Sequence, residues 1–259
     1  MKNTALITGA SGGIGKELAS IHASKGGDLI IVARSKGKLE ELKKDLESKY
    51  SVQVMVIEKD LSEAKAPREV YDEVKEAGIQ VDYLINNAGF GGLGKFHERD
   101  WQEDLNMINL NIVALTALTR FFLPDMVSRN SGKILNVSST ASLLPGPLQA
   151  VYYATKAYVT SFSNAIAEEL HDTPITVTAL MPGATETGFG SVSGMDKTDM
   201  FKDTANPKNV AEDGYQAMLD GKLDVISGVP FVPRIMLKML PFTPKKMVLS
   251  QVRKMQEIK

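Results

Sequence analysis

The chain has 259 residues, 43% hydrophobic and 24% charged, with a formal net charge of -1; this is enough to fill one large α/β core and gives no electrostatic pull toward nucleic acid. It holds no cysteine and three scattered histidines, His22, His97 and His171, so disulfides, thiolate catalysis and a metal site are not expected. Apolar, strand-like sequence begins by Ala5, which leaves no room for a signal peptide, and no continuous apolar run approaches the roughly 18 residues of a membrane span, so a cytoplasmic location is expected.

Residues 4–8 form a short apolar run that ends in Gly9-Ala10-Ser11-Gly12-Gly13-Ile14-Gly15, after which helical spacing continues to Gly26-Gly27. This reads as strand, glycine turn, helix. A second buried strand is predicted at 28–33, an amphipathic helix at 39–50, a third strand at 53–57 and a helix from about 62 to 77. Strands follow at 81–85 and 133–137, with a long helix over about 103–127 between them. A helix carrying Tyr152 runs to about 170, and a sixth strand spans 175–180. A loop over about 184–206 holds Met195, Met200 and Phe201 among glycines and charges, which suits either a lid over an apolar substrate or ordinary packing. A helix at 207–219, with Pro207 in its first turn, and a weak strand near 224–226 complete the alternation. Its pitch predicts a doubly wound, Rossmann-like parallel sheet of about seven strands with helices on both faces, in one domain over 1–230.

Tyr152 and Lys156 stand one helical turn apart and share a face. A nearby cation favours phenolate, so the pair predicts a tyrosine drawn down from about 10 and able to act as a general acid or base. Tyr153 is an equally good phenol by composition. Gly9, Gly13 and Gly15 occupy the first strand-to-helix turn, where backbone N–H groups and a helix N-terminus can receive phosphates. The second strand ends Ala33-Arg34-Ser35-Lys36, with no acid before Glu40. A cation in that place favours a 2'-phosphate, so NADP(H) is expected over NAD(H), with Arg34 as its fork.

Thr8-Gly-x-x-x-Gly-x-Gly15, Asn86-Asn87-Ala88-Gly89, Asn111, Ser138-Ser139, Tyr152-x-x-x-Lys156 and Pro182-Gly183 occur in one order on the predicted elements. Together they resemble the short-chain dehydrogenase/reductase family, in its shorter branch, over about residues 4–190. By that resemblance Asn111, Ser139, Tyr152 and Lys156 form a catalytic tetrad: Tyr152 moves the proton, Ser139 holds the substrate oxygen, Lys156 tunes the tyrosine and binds the nicotinamide ribose, and Asn111 anchors a water. The family pattern selects Ser139 over Ser138, Tyr152 over Tyr153 and Asn111 over Asn109.

The same resemblance places Thr8, Gly9, Ser11, Gly13, Ile14 and Gly15 along the pyrophosphate and ribose. It assigns Asp60 and Leu61 to the adenine, Asn87, Ala88 and Gly89 to its ribose side, and Pro182, Gly183, Thr185 and Thr187 to the nicotinamide half. In one departure, Gly12 stands where many NADP-dependent relatives carry a basic residue, which leaves Arg34 and Ser35 to hold the 2'-phosphate. The resemblance implies a homodimer or homotetramer, often joined through the Asn111 and Tyr152 helices.

Phe90, Leu143 and Gln149 are candidates to face a pocket for a hydrophobic ketone or 3-oxoacyl substrate. The stretch 231–259 is a basic amphipathic extension, with Arg234, Lys238, Lys245, Lys246, Arg253, Lys254 and Lys259 against the single acid Glu257. It could lie on an anionic membrane surface, cover a partner subunit or close the pocket mouth. The alternatives are a nucleotide sensor without catalysis, disfavoured by the complete tetrad, and a sugar-nucleotide epimerase, which needs a substrate domain this chain has no room for.

Overall fold

A computed structural model describes residues 3–230, 233–235, 237 and 243–257. Seven strands, all parallel, are β1 (Thr4–Thr8), β2 (Asp28–Ala33), β3 (Val54–Glu58), β4 (Tyr83–Asn86), β5 (Lys133–Val137), β6 (Thr176–Pro182) and β7 (Asp224–Ser227). They run in the order β3-β2-β1-β4-β5-β6-β7. The order reverses between β1 and β4, and in such sheets the crevice beyond the strands' carboxyl ends at that reversal is where ligands bind.

Successive side chains of a strand point to opposite faces, and here both faces are covered. Ala5, Ile7, Leu29 and Ile31 pack under α1 (Gly13–Ser24), α2 (Lys36–Tyr50) and α8 (Pro207–Leu219). Leu6, Ile30, Leu84 and Ile134 pack under the opposite layer of α3 (Ala66–Glu76), α5 (Leu115–Ser128) and α6 (Ala150–Glu169). The strands therefore read as continuous apolar runs, as a sheet buried on both faces requires.

Local hydrogen bonds explain where element ends depart from their predicted places. Asp60 accepts from Ser62 N at 3.0 Å and Ser62 Oγ at 2.7 Å, forming a turn that delays α3 to Ala66. Asp100 accepts from Gln102 N and Glu103 N and so starts α4 (Trp101–Ile108) two residues before the predicted start. Asn206 caps α8 through Lys208 N, with Pro207 in the first turn as expected. Between α4 and α5 the chain takes one wide π turn, Asn109–Ala114, which carries Asn111.

No unbroken apolar run reaches 18 residues, yet within the continuous helix Trp101–Ser128 an 18-residue stretch has a mean hydropathy of 1.4, and the helix is long enough to cross a membrane. In the fold, its Met107, Ala114, Leu118, Phe122 and Met126 are buried in the domain's own clusters.

His22 on α1 is 2% exposed. Nε2 faces the Asn3 carbonyl at 3.0 Å, so it carries the proton, and Nδ1 accepts from the Tyr215 hydroxyl at 2.8 Å. Burial pushes its pKa below 6.5, against smaller upward pulls from Asn3, Asp28 and Asp82. The unfolded chain then binds more protons than the folded one below about pH 6.5, so this histidine removes stability as pH falls through that value, by at most about 1.4 kcal/mol per pH unit. Urea midpoints measured at pH 7 and pH 5.5 should separate in the wild type by more than in His22→Gln; equal separations would refute the assignment.

Candidate active site

The turn after β1 is built to let backbone approach backbone. Gly9 takes φ +67, and a Cβ there would stand 2.8 Å from Asn87 Nδ2 and 2.9 Å from Ala88 Cα. Thr8 Oγ1 accepts from Asn87 N and Ala88 N, both at 3.0 Å, and Asn87 Nδ2 donates to the Thr8 carbonyl at 2.9 Å. These bonds lock the ends of β1 and β4 together across the crevice. Gly13, at φ +53, faces Thr187, whose Cγ2 would lie 2.9 Å from an added Cβ.

Above the turn opens a cavity of about 500 Å³, within the range of small-molecule sites. Gly9, Ser11, Gly13 and Ile14 line it, as do Asn87, Ala88 and Gly89 of the β4 turn. Arg34, Asp60 and Leu61 form the end beside β2 and β3. Arg34 Nη1 lies 3.6 Å from Asp60 Oδ2. Burial works to raise the Asp60 pKa, but two hydrogen bonds from Ser62 and the Arg34 charge outweigh it and hold the carboxyl below its usual value. Lys38, four residues beyond Arg34 and in the first turn of α2, lines the same end, a cation that no motif marks. Ser35, Thr8 and Gly15 do not line the cavity. Thr8 braces the wall from behind, and an added Cβ on Gly15 would stand 2.5 Å from Asn87 Nδ2.

At the other end stand Ser139, Tyr152 and Lys156, with Pro182, Gly183, Thr185 and Thr187 beside them. The two serines after β5 both line the cavity but differ in what their hydroxyls bond. Ser138 Oγ is engaged with the Lys156 carbonyl at 3.0 Å and Thr160 Oγ1 at 2.7 Å, whereas Ser139 Oγ accepts from Ala141 N at 3.1 Å, reaches the Pro182 carbonyl only at 3.5 Å and lies near enough to the Tyr152 phenol to pull its pKa down. The tyrosines separate too: Tyr153 bonds to Gln256, and Lys156 Nζ stands 5.9 Å from the Tyr152 ring centre.

Asn111 lies behind this wall with its side chain fully engaged. It donates to the Phe90 carbonyl at 2.9 Å and to Thr155 Oγ1 at 3.0 Å, and accepts from Phe90 N at 3.1 Å. It ties the loop after β4 to α6, and a Cβ on Gly89 would fall 3.0 Å from its Oδ1 and 3.3 Å from Lys156 Nζ.

The expectation that Lys156 draws the phenol pKa down is not met. Burial pushes Tyr152 up to about 12, against a smaller pull from Ser139, and pushes Lys156 down to about 8. The ammonium donates to the Val137 carbonyl at 2.9 Å, and burial penalises the charged form of each group. At neutral pH the proton therefore sits on Tyr152.

The 184–206 segment carries a short helix, α7 (Phe189–Ser193), and two 3₁₀ turns, Met195–Lys197 and Asp199–Phe201. Its base is pinned by a bridge between Thr185 and Ala205. Phe189 lies against Tyr152, ring centres 5.2 Å apart, and Phe201 stacks on Phe189. Phe90, Gln149, Met195 and Met200 line the cavity; Leu143 does not. Of the C-terminal stretch, 245–256 forms α9 (Lys245–Gln256), whose Val248 and Val252 pack with Met107, Tyr152 and Tyr153. Phe231, Met236, Lys238, Met239, Leu240, Phe242 and Lys259 lie outside the described residues.

A glycine cradle at the switch point of a parallel sheet, with a buried phenol and ammonium at the far end of the same cavity, defines the class of Rossmann-fold oxidoreductases. A family model described as short chain dehydrogenase matches residues 3–197. The chain is 38% identical over 194 residues to the NADP-dependent 3-hydroxy acid dehydrogenase of Schizosaccharomyces pombe, covering 73% of this chain and 74% of that protein. It is 34% identical over 184 residues to the very-long-chain 3-oxoacyl-CoA reductase of Homo sapiens, covering 69% of this chain but 58% of the human protein. The structure of a short-chain dehydrogenase from Sphingobium yanoikuyae in complex with NADPH matches with a TM-score of 0.83 at 29% identity, over 95% of this chain and 94% of the other. The chain belongs to the short-chain dehydrogenase/reductase family.

Proposed function

We propose that the protein is an NADP(H)-dependent oxidoreductase that interconverts a carbonyl and a secondary alcohol, acting on a hydrophobic ketone or 3-oxoacyl substrate. The observation that carries this reading is the buried Tyr152 beside Ser139 and Lys156, in one cavity with the glycine cradle. Cradle and cations fit a dinucleotide: Gly9, Ser11, Gly13 and Ile14 would receive the pyrophosphate, and Arg34 with Lys38 the 2'-phosphate. When bound, the cofactor supplies or takes the hydride. Ser139 holds the substrate oxygen, Tyr152 gives it the proton in the reductive direction, and Lys156 stabilises the phenolate that results. Asn111, its amide already engaged, sets the loop and α6 that aim these groups. The apolar Phe90, Phe189, Met195 and Met200 support a hydrophobic substrate, in line with the 3-oxoacyl chemistry named for the human relative.

The test is fluorescence titration with NADPH and NADH, followed by turnover on a ketone panel. Arg34→Glu should reduce the preference for NADPH over NADH about 30-fold, the size of one charge-assisted phosphate contact. An unchanged preference would sink the role given to Arg34.

We also infer a homo-oligomer and a cytoplasmic location with contact to membrane surfaces. Val113 and Tyr158, 46% and 37% exposed on the Asn111 and Tyr152 helices, support a subunit face there. Exposed Met247, Leu249 and Met255, together with Lys245, Lys246, Arg253 and Lys254 on α9, support the membrane contact. Light scattering should give a dimer or tetramer mass, and anionic liposomes should pull down the full chain but not one ending at Pro230; a monomer or equal recovery would refute the respective inference.

A further inference from the structure

Tyr153 is the aromatic of the cavity wall that the proposed reaction leaves without a part. It is 4% exposed, stands edge-on to Tyr152 with ring centres 6.0 Å apart, and fills the space where a Cβ on Gly146 would stand. Its hydroxyl is held by segments remote in the chain. Gln256 Nε2 donates to it at 2.6 Å, and the hydroxyl points toward Met200 Sδ at 4.0 Å. Gln256 is fully buried at the end of α9, on the face that packs Val248 and Val252 against Met107 and the two tyrosines. The helix also packs against the turn holding Met200 and Phe201, and Phe201 leads through Phe189 back to Tyr152.

A glutamine is an expensive way to close an apolar cluster. Among the described residues its Oε1 is buried with no partner, and a leucine or methionine would cover the same surface without that penalty. What only a hydrogen-bonding side chain supplies there is a fixed position for the Tyr153 hydroxyl.

We propose that α9 braces the substrate site from behind and that Gln256 is a positioning residue: by holding the Tyr153 hydroxyl it fixes that ring as the cavity wall and, through the ring, the placement of Tyr152 against the substrate. This rests on the reductase reading above and adds to it an element distant from every motif. It also ties the 184–206 segment to the C-terminal helix, so that substrate size is read at their junction.

The experiment compares wild type, Tyr153→Phe, Gln256→Leu, the double variant and Gln256→Glu, using NADPH titration and steady-state kinetics on a small and a bulky aromatic ketone. Tyr153→Phe and Gln256→Leu should each lower kcat/KM for the bulky ketone about tenfold, mainly through KM, with NADPH affinity within twofold. The double variant should be no worse than either single one, because both remove the same bond. Gln256→Glu, whose carboxyl still bonds the phenol, should recover most of the loss. Tyr153→Phe keeps the ring and decides the matter even where a Gln256 variant fails to fold. Unchanged kinetics in Tyr153→Phe, or additive losses in the double variant, would overturn the positioning role alone. A wild type that binds NADPH but turns over no ketone would overturn the reductase reading instead.

Discussion

Tyr152→Phe is expected to lower kcat for ketone reduction about 10³-fold, with NADPH affinity unchanged within about twofold. The substitution deletes one hydroxyl and keeps the ring. Tyr152 is 8% exposed, and its contacts to Tyr153 and Phe189 are made by ring faces and edges that phenylalanine reproduces. The fold therefore has no reason to respond, and the glycine turn that would hold the cofactor lies at the other end of the cavity. What goes is the proton: burial holds the phenol near 12, so at neutral pH it is a loaded donor beside Ser139, and the Lys156 ammonium, which donates to the Val137 carbonyl at 2.9 Å, is turned to the backbone instead. Tyr153, the nearest phenol, is bonded to Gln256 and pushed still higher by burial. Stopped-flow NADPH oxidation and fluorescence titration on the same samples separate chemistry from binding. Activity within tenfold of wild type would remove Tyr152 from the proton step, and Tyr153→Phe would then be the variant to compare.

Much of this arrangement is legible in the chain because it is local. The order of strand, glycine turn and helix places Gly9 and Gly13 at the crevice, and helical spacing alone puts Tyr152 and Lys156 on one face. What spacing could not choose, packing does: the Ser138 hydroxyl is taken up by the Lys156 carbonyl and Thr160 on α6, which leaves the Ser139 hydroxyl as the one near the Tyr152 phenol. The pKa of Tyr152 moved opposite to the expected direction because the sequence shows the neighbouring cation but not the burial that acts on both. The α9 helix reads from sequence as a basic amphipathic stretch with several possible surfaces. Its apolar side is claimed by Tyr153, 103 residues away, a contact that no local pattern encodes. Gln256 was invisible for the same reason: a buried glutamine in a charged tail looks like any solvated one until its partner is known.

Gly9→Ala should abolish detectable NADPH binding, a loss of more than about 100-fold, and lower Tm by about 5–10 °C, while Gly12→Ala changes stability little. Both glycines stand in the same turn, so composition and motif do not distinguish them. Geometry does. Gly9 has φ +67, which costs an L-residue about 1–2 kcal/mol, and its added Cβ would meet Ala88 Cα at 2.9 Å and Asn87 Nδ2 at 2.8 Å. Neither can withdraw, since Ala88 contributes backbone and Asn87 is already bonded to the Thr8 carbonyl. Relief would require β1 and β4 to part at their carboxyl ends, where the cradle is formed. Gly12 has φ 179 and nothing within 4 Å of an added Cβ, so the methyl group enters open space. Gly13 falls between, because Thr187, on the 184–206 loop, is a side chain that can rotate away. The expected ranking of stability loss is thus Gly9, then Gly13, then Gly12, read by thermal unfolding without ligand and by NADPH titration. A Gly9→Ala protein that binds NADPH like wild type would show that the close approach of the two turns is a packing feature, and the phosphates would have to be sought elsewhere along the cavity.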